Sequence, residues 1–158
     1  MSSDPAMIGR IDFSGEQGPL HHFPVQVFWE DTDAGGIVYY ANYLKFTERA
    51  RTDLLRGIGI NQQQLMITEN VNFVVRECQV EYLSPARMDD ALDVRTHLFE
   101  LKGATLRMKQ DVYRGDDLLV KSTVRVACLH KNGKAARFSP QIRDKFLSIT
   151  DFSGAMKK

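Results

Sequence analysis

Two carboxylates, Asp31 and Asp33, stand just ahead of a Gly35-Gly36 break, and beyond it no Pro or Gly occurs until Gly57. An acid beside the start of a helix can do either of two jobs. It can cap the unpaired N–H groups of the first turn. Alternatively, it can act on a bound carbonyl whose oxygen those same N–H groups and the helix dipole stabilise. The second job is the chemistry of ester or thioester hydrolysis. That reaction needs a group to attack or to activate water, and donors aimed at the oxygen that becomes negative. Asp33 is placed to meet the first need as nucleophile or general base. The backbone N–H groups around Tyr39 to Ala41 are placed to meet the second. One such donor is worth about 3–4 kcal/mol in a transition state, against under about 1 kcal/mol for a dipole at an exposed helix end. Spacing alone leaves both readings open.

The helix that must carry these groups reads clearly. At about 100° per residue, Tyr43, Leu44, Phe46, Ala50, Leu54, Leu55 and Ile58 fall on one broad arc, with Lys45, Arg49, Thr52 and Arg56 opposite. So wide an apolar arc suits a helix wrapped by a sheet. Arg51 lies within that arc and Glu48 at its edge, three positions apart, so the two are expected to pair. A structural ion pair at a sheet or subunit contact and a catalytic pair both fit this pattern.

Other chemistries fit less well. A calcium loop starting at Asp31 would need an oxygen donor at its fifth position and a bidentate Glu at its twelfth, where Gly35 and Asn42 stand. Asp31-Thr32 lacks the Gly that an aspartic-protease motif would place at Asp33, and no second copy exists. There is no phosphate loop, dinucleotide fingerprint or nucleophile elbow. His21, His22, His97 and His130 form no metal-binding pattern. His97 and His130 read as structural or solvent-facing.

The 158 residues, 43% hydrophobic and 26% charged, have the composition of a single soluble globular domain. A net charge of +1 gives no reason to expect nucleic acid or an anionic membrane as partner. No apolar run is long enough to span a bilayer, and the first 22 residues lack the pattern of a secretory signal. Cys78 and Cys128 lie in strand-like stretches and read as buried, reduced thiols of a cytoplasmic protein.

Residues 1–22 read as a flexible arm tacked down by Ile8, Ile11 and Phe13, residues 23–150 as one domain, and residues 151–158 as a tail. Phe23 to Trp29 reads as a first strand. Gly57 and Gly59 both suit the left-handed end of the helix, and residues 61–70 fit a short helix or a loop. Four extended runs follow: Val71 to Leu83, Ala91 to Leu101, Ala104 to Arg114 and Leu118 to His130. Short turns between them predict an antiparallel meander, and Ser139-Pro140 predicts a last short helix to Leu147. The class is α+β.

The stretch WEDTDAGGIVYYANYLKFTERAR, with VRECQVEYLSPARMDDALDVRT after it, resembles hot-dog-fold acyl-CoA thioesterases of the 4-hydroxybenzoyl-CoA thioesterase type. It is most similar to the Tol–Pal-associated subgroup, and the likeness covers residues 24–148. The resemblance implies a five-stranded antiparallel sheet wrapped around one long helix. It also implies homodimers joined at edge strands, tetramers of such dimers, and active sites at the dimer interface. Carried over by position, the catalytic carboxylate is Asp33 and the carbonyl-polarising amide is that of Tyr40. Gly36 and Val38 of the signature, with Asn42 and Tyr43, match positions around the substrate pocket, and Glu48 and Arg51 match supporting positions. Many members of the subgroup have His where this chain has Tyr40; the backbone role survives that change but a side-chain role does not. Lys102, followed by Arg87, is the expected contact for the phosphates of coenzyme A. Coenzyme A belongs to the substrate, so the resemblance implies no metal and no organic cofactor. A second reading is a binding or scaffold protein for acyl carrier protein or envelope and lipid-synthesis machinery. A hot-dog dehydratase fits less well, since it would want a His near the helix.

Overall fold

The computed structural model describes residues 6–150. Six strands form one sheet: β1 (Arg10–Asp12), β2 (Leu20–Gln26), β3 (Val71–Tyr82), β4 (Ala91–Leu101), β5 (Thr105–Arg114) and β6 (Asp117–His130). Three helices accompany them: α1 (Asn42–Gly57), α2 (Gln62–Glu69) and α3 (Pro140–Leu147). The class is α+β as expected, but the sheet has six strands rather than five, and α1 is not the only helix.

The strand order is β1-β2-β4-β5-β6-β3, with antiparallel pairs throughout. This corrects the expected four-strand meander. Only β4, β5 and β6 follow one another in space, while β3 pairs with β6 at the far edge. The reason lies in residues 83–90, which make no tight hairpin. They carry the chain past the start of α1, where the Ala86 N–H donates to the Tyr43 hydroxyl and the Ala86 carbonyl accepts from Val38.

The helix α1 lies against the sheet through Tyr43, Phe46, Ala50, Leu54 and Leu55, all buried. Leu44, placed on the apolar arc by periodicity, is exposed instead, and Asp53 is buried at 2%. At the helix end only Gly59 is left-handed (φ +84°), whereas Gly57 is the last helical residue. Residues 62–69 are helical, capped by the Asn61 side chain on Gln64 N–H and ended by left-handed Asn70. In α3 the cap is Ser139 with Pro140 in the first turn, as read. The strand read as Phe23 to Trp29 is β2, Leu20–Gln26, and β1 precedes it. The Asp31 carboxylate accepts from Phe28 N–H and turns Trp29–Asp31 into a 3-10 turn. Cys78 and Cys128 are both free thiols. Burial pushes Cys128 up to about 11, whereas Cys78 is exposed rather than buried.

Part of the stretch read as a flexible arm is built into the sheet. Arg10–Asp12 pairs with Leu20–His22, and Ile11 packs on the core, although Ile8 and Phe13 are exposed. The clasp is the buried carboxylate of Asp53 on α1. It accepts from Ile8 N–H at 2.6 Å, Gly9 N–H at 2.8 Å and the His21 ring Nε2 at 2.9 Å. Gly9 runs so close to the His22 carbonyl that a Cβ there would collide with it.

Burial pushes the His21 imidazole below its usual range, with the Asp53 hydrogen bond and charge opposing the shift. The folded chain thus favours the neutral ring, while the unfolded chain takes up a proton once pH falls below about 6.5. When the unfolded state binds more protons, acid lowers stability. The thermal midpoint should therefore be level above about pH 6.5 and fall below it. In His21→Gln that acid slope should be shallower.

Candidate active site

The two acidic residues ahead of the helix are held quite differently. Asp31 is tied into local structure chiefly through its backbone, and it is half-buried. Its carboxylate takes Phe28 N–H, and its carbonyl accepts from Tyr39 N–H at 3.0 Å and from the Asn42 amide at 2.9 Å. Asp31 thus shapes the 3-10 turn but does not cap α1. Asp33 sits on a small hairpin in which Thr32 bridges Val38, Asp33 N–H donates to the Ile37 carbonyl, and Gly36 turns the chain at φ +81°. One oxygen of the Asp33 carboxylate accepts from Gly35 N–H at 2.8 Å. The other has no partner among the described residues, and the side chain is exposed. A carboxylate tethered by one oxygen and open at the other is oriented yet able to act as base or nucleophile.

The start of α1 leaves donors open beside this hairpin. Asn42 N–H donates to the Tyr39 carbonyl at 2.8 Å, Tyr43 N–H to that of Tyr40 at 3.4 Å, and Leu44 N–H to that of Ala41 at 3.2 Å. No side chain caps the helix at Ala41. Tyr39 N–H is occupied by Asp31, but neither Tyr40 N–H nor Ala41 N–H has a partner among the described residues. The C=O and N–H of a trans peptide point in opposite directions. Because Asn42 draws the Tyr39 carbonyl toward the helix, it turns the Tyr40 N–H away from it. Two open amides at the positive end of a sixteen-residue helix form a site for negative charge.

An open groove of about 270 Å³ runs alongside, with Val38, Tyr40, Tyr43, Tyr82, Leu83 and Pro85 among its walls. Val38 and Tyr43 are buried at 3% each. Desolvation raises the pKa of the Tyr43 hydroxyl, so it stays protonated while accepting from Ala86. Asn42 braces the Asp31 carbonyl instead of lining the groove. Gly36 has open space where a side chain would be.

The remaining sequence candidates separate. Glu48 and Arg51 do not form the expected pair. Arg51 donates to Gln110 Oε1 at 2.9 Å, and Glu48 accepts from Thr52 at 3.3 Å. Gln110, fully buried, is itself held by bonds to the Thr47 carbonyl and Thr96 hydroxyl, so it outcompetes the exposed Glu48 for the guanidinium. Both residues line a different chamber of about 200 Å³ against Leu55, Phe73, Met108 and Phe146. Burial lowers the pKa of Arg51, opposed by the charge of Glu48. Within one protomer Lys102 is not brought to Asp33 and Tyr40. Its carbonyl accepts from Arg143 of α3, and Lys145 of the same helix donates to the Gly59 carbonyl just beyond the far end of α1, about 24 Å from its start. Arg87 is at the right end, since its backbone bridges Ile37. Tyr82 was not among the residues singled out in the sequence, because a Tyr at the end of an alternating strand looks like any strand aromatic; Ala41 was, as one of the amides from Tyr39 to Ala41.

An antiparallel sheet packed on a helix that follows an acidic hairpin fits the hot-dog thioesterase arrangement. Residues 27–146 match the thioesterase-like superfamily, and the chain belongs to it. Among its relatives is the acyl-CoA thioesterase YbgC of Haemophilus influenzae, 48% identical over 107 residues, spanning 68% of this chain and 79% of that protein. The acyl-CoA thioester hydrolase YbgC of Escherichia coli O6:H1 is 46% identical over 111 residues, 70% of this chain and 82% of that one. The crystal structure of a probable thioesterase from Bartonella henselae superposes with a TM-score of 0.73 at 36% identity, covering 76% of this chain and 99% of that chain.

Proposed function

We propose that the protein is an acyl-CoA thioesterase acting on small or short-chain acyl groups. The observation that carries this reading is the pair of open amides at Tyr40 and Ala41, a few residues after the hairpin that holds Asp33 with one carboxylate oxygen unpartnered among the described residues, in a chain whose relatives are named for this reaction. The thioester carbonyl oxygen sits against the amides, and Asp33 attacks the carbonyl carbon or takes a proton from the attacking water. The C–S bond breaks and the sulfur leaves as the thiol of coenzyme A; water then cleaves the acyl–Asp33 anhydride of the first route, and in either route the acyl group leaves as carboxylic acid. The open groove walled by Val38, Tyr43 and Tyr82 supports a small acyl group.

In this reading the working unit is a homodimer. The outer edge of β3, 12 residues long, has no strand against it among the described residues, and antiparallel pairing with the same strand of a second copy satisfies it. That pairing sets the Val71 end of one protomer beside the Tyr82 end of the other. Lys102, Lys131, Lys134 and Arg137, all exposed near the Val71 end, would then approach the other copy's groove and meet the phosphates of coenzyme A. The same cations suit an acidic acyl carrier protein, which is the second reading. We place the chain in the Tol–Pal-associated subgroup on residues 75–96 and in the cytoplasm. No helix among the described residues is long and apolar enough to cross a membrane.

The test is a steady-state screen over acyl-CoAs of graded length and aryl-CoAs, reading free thiol released, with the matching acyl carrier proteins alongside. Turnover concentrated at short acyl-CoAs is expected. Negligible turnover across all CoA esters, with stoichiometric capture of carrier protein, would overturn the proposal.

A further inference from the structure

Tyr82 lies at the C-terminal end of β3, and its hydroxyl donates to the Tyr40 carbonyl at 3.2 Å. Its ring stands edge-on to Tyr40, with centroids 6.0 Å apart, and tilts against Tyr43 at 5.7 Å. That carbonyl belongs to the peptide whose N–H is Ala41's. A planar trans peptide turns as one body, so whatever holds the carbonyl also aims the N–H on its other side. The only other donor to the Tyr40 carbonyl among the described residues is Tyr43 N–H, at a long 3.4 Å. Desolvation, chiefly, raises the pKa of the Tyr82 hydroxyl, so it remains a donor through neutral and mildly alkaline pH.

We propose that Tyr82 is a positioning residue: by gripping the Tyr40 carbonyl it aims the Ala41 N–H, so that two backbone amides, Tyr40's and Ala41's, meet the developing oxyanion. The inference rests on the thioesterase reading above. The transition state places more charge on the carbonyl oxygen than the ground state does, so a misaimed second donor costs rate more than binding.

The experiment compares wild type, Asp33→Asn and Tyr82→Phe with a good acyl-CoA substrate. It also measures binding of a thioether analogue, which has the coenzyme but no carbonyl. Tyr82→Phe keeps the ring and loses only the hydroxyl. The expected result is a kcat lower by about 3- to 10-fold, with KM, thermal midpoint and thioether affinity unchanged. An unchanged kcat in Tyr82→Phe, beside an active wild type and a crippled Asp33→Asn, would sink the Tyr82 role alone. A fall in kcat matched by equal loss of thioether affinity or by a lowered thermal midpoint would also overturn it, since that is the mark of a structural contact. If wild type fails to hydrolyse the substrate, or Asp33→Asn is fully active, the underlying thioesterase reading fails first.

Discussion

Replacing Asp33 with Asn is expected to lower kcat by about 10²- to 10⁴-fold and to leave the fold intact, the range associated with losing a positioned base. Asn is the informative substitution because of how Asp33 is tethered. The oxygen that accepts from Gly35 N–H is still present in Asn, so the hairpin keeps its shape. The other oxygen becomes an amide nitrogen, which can neither attack a carbonyl nor take a proton from water. An exposed side chain with one local bond contributes little to stability, so the thermal midpoint should move by less than about 2 °C. Asp33→Ala, by contrast, removes the tether as well, so its loss would mix chemistry with a loosened turn. Near-wild-type turnover in a folded Asp33→Asn enzyme would remove Asp33 from the mechanism.

The second large effect has the opposite signature. Asp53→Ala should destabilise the protein by about 3 kcal/mol and lower the thermal midpoint by roughly 6–12 °C. The Asp53 carboxylate satisfies Ile8 N–H, Gly9 N–H and His21 Nε2 in an interior where water does not replace it. Removing it strands all three donors. The His21 Nδ1 already lacks a partner, so the ring has nowhere else to turn for one. Asp53→Asn should lose less, because its oxygen can still accept from Ile8 N–H and a change of His21 tautomer lets Nε2 accept from the new amide, so that only Gly9 N–H loses its acceptor. Nothing in this cluster touches Asp33 or the amides of Tyr40 and Ala41. Turnover measured well below the unfolding transition should therefore stay near wild type. Circular dichroism melts beside low-temperature kinetics separate the two variants: one keeps its fold and loses rate, the other keeps rate and loses heat tolerance.

What could be read from residues alone follows the range of the interactions involved. Helix α1, its Gly59 end and the Ser139-Pro140 cap are set within a turn or two of chain, and each was legible. The alternation of β5 and β6 was legible for the same reason, since one face of each strand is buried. Where β3 goes was not. Period-two patterning says which face is inward but not which neighbour a strand takes, and the 83–90 crossover looks in sequence like one more short turn. Buried polar groups escaped for a related reason. Asp53 looks like one more helix-surface acid until the partners supplied by residues 8–21 are known, and Arg51 looks paired to Glu48 until Gln110 arrives from β5. At the site, Asp31 and Asp33 were legible as a pair. Each carboxylate accepts one backbone N–H; only the three-dimensional structure divides them, by setting the Asp31 carbonyl on Tyr39 and Asn42 and leaving Asp33 exposed.

The three-residue strand β1 has a consequence for how far molecules of this kind can add to one another. A sheet with two bare flanks is a two-ended monomer, and two-ended monomers polymerise. By lying along β2, the clasped segment covers part of one flank and leaves β3 as the longer open edge among the described residues. In the dimer proposed above, pairing at β3 uses up that edge in both copies, so edge-to-edge growth of the sheet would stop at two chains instead of running on into a fibre.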